Sequence, residues 1–206
     1  MQLYGTHAPL CQPMNGEHMA QAARPLRADA ARNRARVLDV AYETFAAEGL
    51  SVPIDEVARR AGVGAGTVYR HFPTKEALFA AVIEDRMQQL VDDGRKLLET
   101  AGGGEALFAF LRSMVLHWGP ADRGLVDALA GYGIDIACAA PEAEDAFKAM
   151  MGELLRAAQE AGTARRDVDM RDLKAILVGC QAMQAYDSAL AERATDVVID
   201  GLRVQR

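Results

Sequence analysis

Residues 54–79 read IDEVARRAGVGAGTVYRHFPTKEALF and decide the fold of this chain. The stretch contains two short helical patterns separated by Gly62, a residue that adopts a positive φ at a turn without strain. Ala58 lies where the second helix crosses the first, and a longer side chain would not fit there. The inner positions are apolar and comprise Ile54, Val57, Ala61, Val63 and Val68. This pattern predicts a helix-turn-helix whose second helix is free to enter a major groove of DNA.

The end of the second helix and the turn after it carry further landmarks. Residues 67–72 read TVYRHF, and residues 73–79 continue as PTKEALF. Over residues 32–80 this combination resembles the TetR/AcrR family of transcriptional repressors. The resemblance implies an all-α fold, in which an N-terminal three-helix helix-turn-helix head joins a C-terminal helical domain for ligand binding and dimerisation.

The resemblance also implies which residues contact DNA. Thr67 lies near the start of the recognition helix, where its hydroxyl can reach a phosphate or a base edge. Gly66 costs about 1 kcal/mol relative to alanine inside a helix, and a close approach of the DNA backbone would justify that cost. Gly64 and Ala65 depart from the family pattern, which often has Ser or Lys there, so fewer side chains at the tip can read bases.

The remaining DNA contacts follow from the same resemblance. Tyr69 and His71 resemble the aromatic pair that binds phosphate, and Lys75 resembles the phosphate-binding lysine. Arg70 either makes a bidentate contact with guanine or clamps a phosphate. The predicted DNA-binding set is Gly64, Ala65, Gly66, Thr67, Tyr69, Arg70, His71 and Lys75.

Charge is divided unevenly between a flexible N-terminal arm (residues 1–27), the head (28–80) and the body (81–206). Residues 1–80 carry a net charge of +1, and the remaining residues carry −7. DNA requires cations only where it touches the protein, so binding is expected at the head alone. The arginines near the arm either reach phosphates and a minor groove or simply face water. They are Arg24, Arg27, Arg32, Arg34 and Arg36.

Helical periodicity continues along the whole chain. A first helix is predicted over about residues 29–48, and a long one opens at the N-cap Thr74 and ends near Thr100. Further helices are predicted at about 105–118, 123–139, 142–161, 170–188 and 191–204. No segment alternates with period two in β-branched residues, so no sheet is expected.

Methionine and aromatic side chains are concentrated in the body. Such adaptable side chains suit a pocket for an apolar ligand, although the same residues at helical spacing also make an ordinary core. Glutamine and histidine would supply polar contacts. The predicted ligand-binding residues are Met87, Phe108, Met114, His117, Trp118, Tyr132, Phe147, Met151, Gln181 and Gln184.

Catalytic patterns are missing from the sequence. The GVGAG segment lacks the following lysine of a phosphate-binding loop, and the four histidines form no HExxH motif or triad. We therefore expect no enzyme, cofactor or metal site. The three cysteines lack metal-like spacing, and neither a secretion leader nor a membrane-spanning run is found. These features predict a cytoplasmic protein without a membrane partner.

The sequence thus predicts a homodimeric repressor that leaves a pseudo-palindromic operator in double-stranded DNA when a small-molecule inducer binds the body. Dimerisation is expected through residues 170–188 and 191–204, which pair with their counterparts as a four-helix contact. Their apolar positions are Leu173, Ile176, Leu177, Cys180, Met183, Val197, Val198 and Leu202. The alternative is a ligand-independent all-α interaction protein whose head binds another protein.

Overall fold

The computed structural model describes the backbone of residues 16–118, 124–125 and 139–205, with side chains described from residue 29 onward. Within these ranges the chain is helical and contains no strand, which agrees with the predicted all-α class. The first four helices are α1 (Gly16–Glu48), α2 (Ile54–Arg60), α3 (Ala65–His71) and α4 (Lys75–Thr100). The others are α5 (Gly103–Ser113), a π-helical turn (Met114–Trp118), α6 (Pro141–Glu160), α7 (Met170–Tyr186) and α8 (Ser188–Leu202).

Local sequence explains most helix ends. The Thr74 hydroxyl accepts a hydrogen bond from the backbone N–H of Ala77 at 3.1 Å, which caps α4 as predicted. Gly49 and Gly102 adopt φ angles of +75° after α1 and α4, where other residues would be strained. The Asp169 carboxylate accepts hydrogen bonds from two backbone N–H groups at the start of α7 and completes a capping box with Asp172.

The first helix differs most from its predicted bounds. It begins at Gly16 rather than near residue 29, so the backbone of residues 16–27 is helical where the sequence predicts a flexible arm. Residues 17–23 are mostly good helix formers, and they allow α1 to extend backwards. Residues 1–15 lie outside the described ranges, as does most of the helix predicted at 123–139.

Two apolar cores lie along α4. The first half of α4 closes the head core, where the rings of Phe45 and Phe79 lie 4.5 Å apart. The second half contributes Leu90 and Val91 to the body core, formed with α5, the π-helical turn, α6, α7 and α8. One continuous helix therefore connects the head with the body.

A short part of the body also packs on the head. Leu125 and Ala140 are buried in the head core, although both lie far beyond it in sequence. Gly124 approaches the end of α1 so closely that a Cβ atom on it would lie 2.3 Å from the carbonyl oxygen of Ala46. The head core thus includes residues from the C-terminal domain.

Candidate nucleic-acid interface and sensing body

The helix-turn-helix is built as the sequence predicts. Ile54, Val57 and Ala58 are the buried residues of α2, and Ala58 is only 1% exposed. Gly62 adopts a φ of +65°, and the next residue, Val63, donates a backbone hydrogen bond to the carbonyl of Ala58 at 3.1 Å. This tight turn fixes α3 against α2 and leaves one side of α3 open to solvent.

Most of the recognition helix α3 is open to solvent, although Ala65 and Thr67 are half-buried. Val68 is its one buried residue, and it anchors the helix to the head core. Tyr69, Arg70 and His71 are exposed, and Tyr69 has 44% of its surface accessible, a high value for a large aromatic residue. We call Gly64, Ala65, Gly66, Thr67, Tyr69, Arg70 and His71 the recognition face. The structure brings these seven predicted DNA-binding residues together on one short segment.

Lys75 lies just beyond the recognition face. It is the first residue of α4 and is half-buried, and this burial lowers the pKa of its ammonium group while the neighbouring Glu76 opposes the shift. The loop of residues 72–74 separates it from α3, with Phe72 buried in the head core. Lys75 therefore closely follows the C-terminal end of the recognition helix in the chain.

The arginines of α2 are held by carboxylates instead. Arg59 donates two hydrogen bonds of 2.7 Å to Glu56, and Arg60 binds both Glu56 and Glu48. These two guanidinium groups lower the pKa of Glu56 to about 2. The basic residues of α2 are thus neutralised within the head.

The predicted ligand-binding residues do not form one cluster. Phe108, Met114 and Met151 are buried in the body core, and Phe147 packs at its edge with its ring 6.3 Å from that of Phe110. Met87 packs instead against the head core, because it lies on the part of α4 next to α1. Met87 is therefore separated from the other residues predicted to bind a ligand.

The polar members of the predicted pocket are partly described. Gln181 and Gln184 are half-buried on α7, which packs against the π-helical turn. His117 and Trp118 contribute their backbones to that turn, and their side chains lie outside the described part of the structure, as does the whole of Tyr132. The π-helical turn was not visible in the sequence, because helical periodicity does not distinguish it from the end of α5.

The surface clefts in the described part of the chain include two of moderate volume. One has a volume of about 390 Å³ between α4 and α5 and is lined by residues that include Lys96, Leu97 and Phe110. The other has a volume of about 610 Å³ between the head and the start of α6 and is lined by residues that include Arg34, Asp85 and Glu142. Neither lining includes a residue predicted to bind a ligand.

Exposed apolar side chains mark α7 and α8. Several positions predicted to form a dimer contact instead face the body core, because α7 packs on the π-helical turn, α8 packs on α5, and the two helices pack on each other. These buried residues are Leu173, Leu177, Cys180 and Leu202. The large apolar residues left exposed are Val178, Tyr186, Leu190 and Val197, which we call the exposed apolar face. Of these four, only Val197 is predicted from the sequence.

Geometry and sequence comparison together define the class of protein. A helix-turn-helix head with an exposed recognition helix, joined to an all-helical body, is the architecture of a bacterial DNA-binding transcriptional regulator. Residues 37–82 match the profile of bacterial regulatory proteins of the TetR family, and residues 102–204 match that of the C-terminal domain of SbtR-like transcriptional regulators. The chain belongs to the TetR family of transcriptional regulators.

Individual relatives agree with this assignment. The HTH-type transcriptional regulator SrpR of Pseudomonas putida is 30% identical over 72% of this chain and 71% of its own length. The crystal structure of a TetR regulatory protein from Mycobacterium vanbaalenii is 63% identical, covers 87% of this chain and 100% of its own, and superposes with a TM-score of 0.74. The regulator SCO0520 from Streptomyces coelicolor is 34% identical over 84% of this chain and 99% of its own, with a TM-score of 0.70.

Two more distant structures share the fold and contain ligands. A putative transcriptional regulator from Saccharomonospora viridis, 20% identical with a TM-score of 0.67 over 85% of this chain and 100% of its own, was solved with choline. FadR from Bacillus subtilis, 18% identical with a TM-score of 0.62 over 81% of this chain and 97% of its own, was solved with stearoyl-CoA. In the described part of the present chain, no helix is long and apolar enough to cross a membrane.

Proposed function

We propose that this TetR-family protein is a homodimeric repressor that leaves its operator when a small molecule binds the body. The observation that carries the proposal is the recognition face, in which Tyr69, Arg70 and His71 are exposed on a helix anchored by one buried side chain, Val68. Lys75 adds a cation beside it. This arrangement suits insertion into a major groove with phosphate contacts at the edge.

The exposed apolar face supports a dimer of this chain. In the single chain, Val197 has 67% of its surface accessible and Tyr186 has 91%, so both are free to contact a second copy. The small residues Ala175, Gly179 and Ala182 are exposed on the same side of α7, where they would allow a second helix to approach closely. Pairing α7 and α8 with their copies would form a four-helix contact with two-fold symmetry.

A two-fold dimer would present two recognition faces to one DNA duplex. Successive major grooves on one side of B-DNA lie about 34–36 Å apart, so the operator is expected to be pseudo-palindromic with that spacing between half-sites. A ligand that favours a different separation of the heads would release the DNA. It can shift the equilibrium only by the difference in its affinity for the two states.

We place the ligand near the π-helical turn and α7. π-helical turns are frequent at functional sites, and this one packs against the helix that carries the half-buried Gln181 and Gln184. Met114 begins the turn and is buried in the body core, where its side chain could adjust to a ligand. Two proteins of the same fold were solved in complex with choline and with stearoyl-CoA, which supports a small-molecule ligand for this chain as well.

The test is binding of the full chain to the DNA flanking its own coding region, measured by fluorescence anisotropy at several salt concentrations. We expect tight binding that weakens steeply with salt, because phosphate contacts release counterions. A thermal-shift screen of amphipathic compounds then identifies inducers, and a true inducer must also raise the dissociation constant for the operator. Absence of DNA binding at low salt would instead favour a head that binds another protein, which at present no structural observation favours.

A further inference from the structure

The arginines on the surface of the head fall into two groups. Arg59 and Arg60 are tied to Glu56 and Glu48 by the hydrogen bonds described above. A carboxylate that pairs with an arginine occupies part of its N–H donors and offsets its charge, so such an arginine contributes less to a phosphate contact than an arginine without a carboxylate partner. The second group comprises arginines that have no carboxylate partner among the described residues. An arginine of this group is the better candidate for an additional contact with DNA.

Arg34 belongs to this second group. It is exposed on α1, and its guanidinium carbon lies 5.6 Å from the centroid of the Phe72 ring. Arg34 also lines the cleft with Glu84 and Asp85, but it forms no ion pair with a carboxylate of the described residues. An aromatic ring attracts a guanidinium group without consuming its N–H donors. The side chain is therefore oriented while its hydrogen-bonding capacity stays available.

The position of Phe72 places this charge next to the recognition face. Phe72 directly follows α3, is buried in the head core and has its ring 6.2 Å from the ring of His71. Arg34 thus lies near the C-terminal end of the recognition helix although it comes from α1. The C-terminal end of a helix also favours a nearby cation, because its carbonyl groups carry partial negative charge.

We propose that Arg34 binds a DNA phosphate beside the recognition face and that the Phe72 ring positions its guanidinium group for this contact. The inference rests on the proposed DNA-binding function and adds a contact from α1 to it. The proposal also predicts that Arg34 contacts the DNA backbone, whereas Arg59 and Arg60 of α2, which are bound to carboxylates, do not.

The experiment measures the salt dependence of binding for Arg34→Gln and for the matched control Arg59→Gln, on the operator and on a random duplex of equal length. For Arg34→Gln we expect the same fold-loss of affinity on both duplexes, and a slope of log affinity against log salt that falls by about one per subunit. Arg59→Gln makes the same change in charge and should leave the slope as in the parent. Arg34→Lys should restore the slope, because it restores the charge.

Several results would overturn the proposal. An unchanged slope for Arg34→Gln would remove Arg34 from the interface, and a loss confined to the operator would make it a base contact. An equal fall in slope for Arg59→Gln would show that pairing with Glu56 does not exclude an arginine from DNA. Failure of the parent protein to bind either duplex would be a failure of the DNA-binding function itself, which is a different result. Circular dichroism of each variant confirms that the head is folded before slopes are compared.

Discussion

Gly94 of α4 lies against Met150 of α6 so closely that a methyl group on Gly94 would come within 2.2 Å of the Met150 sulfur. The same methyl group would lie 2.9 Å from Cε and 3.1 Å from Cγ of Met150, so the whole Met150 side chain would have to move. Met150 is 1% exposed and is surrounded by the body core. The absence of a side chain at position 94 therefore sets how closely α4 and α6 pack.

We expect Gly94→Ala to lower the free energy of unfolding by about 1 kcal/mol. Overpacking a core costs about 1–3 kcal/mol, and the better helix propensity of alanine returns up to about 1 kcal/mol. Gly152→Ala is the matched control on α6, because nothing lies within 4 Å of the position its Cβ would take. This control should instead be stabilised, and urea denaturation of both variants makes the comparison. An equal increase in the free energy of unfolding for Gly94→Ala and Gly152→Ala would show that the Met150 side chain moves aside without cost.

Lys75 and Arg70 are predicted to contribute to DNA binding in different ways. Lys75→Ala should weaken binding to every sequence alike and lower the salt slope by about one per subunit, as expected for a phosphate contact. Arg70→Ala should lose about 1–3 kcal/mol of discrimination at one base pair of the operator if Arg70 contacts guanine. Titrations against single-base operator variants measure both. A uniform loss for Arg70→Ala would assign it to phosphate, and parental affinity for Lys75→Ala would remove Lys75 from the interface.

The exposed apolar face is predicted to hold the dimer together. Val197→Glu should raise the dimer dissociation constant at least about tenfold, because a carboxylate would be buried without a partner at the interface. Sedimentation equilibrium measures this change, and the variant should also lose affinity for a two-half-site operator. Val204→Glu is the control, since Val204 is exposed but lies beyond the end of α8. A dimer of parental strength from Val197→Glu would place the interface elsewhere.

Asp39 is predicted to make stability depend on pH. Partial burial, reinforced by the nearby carboxylates of Asp85 and Glu43, raises the pKa of Asp39 in the folded protein. The folded state therefore favours the protonated form, and this contribution is present at low pH and lost as the pH rises through the folded pKa. Asp39→Asn mimics the protonated form, so its gain in stability over the parent should be larger at pH 7 than at pH 4.

Thermal or urea unfolding of Asp39→Asn and the parent at both pH values measures this difference. Glu99→Gln removes an exposed carboxylate near the end of α4 and serves as the control. If Asp39→Asn raised the free energy of unfolding equally at pH 4 and pH 7, the raised pKa of Asp39 could not be the cause of the pH dependence.

Features fixed by neighbouring residues were predictable from the sequence. The positive φ of Gly62 and the cap at Thr74 depend on local backbone chemistry, which residue type reveals directly. The recognition face followed from a family pattern in which all its residues are close in sequence. For the same reason the helix-turn-helix was predicted with its turn in the right place.

Features that depend on distant contacts were not predictable. Helical spacing shows that Met87 and Met151 are each on an inner face, but not that one faces the head core and the other the body core. The exposed apolar face was not predicted for the same reason. Helical periodicity identifies the apolar positions of a helix but not which neighbouring element, if any, packs on them. The contact of Arg34 with Phe72 joins α1 to the residue after α3, and no sequence spacing indicates such a pair.

The close approach of Gly124 to Ala46 limits how this head could be exchanged between regulators. Leu125 and Ala140 complete the head core, so in a chimaera that transplants only residues 28–80 the recipient body would have to fill their places. The recipient body would also need a glycine opposite the Ala46 carbonyl, since a Cβ there would lie 2.3 Å from that oxygen. The residues that complete the head core are therefore discontinuous in the gene, and hybrid regulators should be most stable when residues 124–125 and 140 are exchanged together with the head.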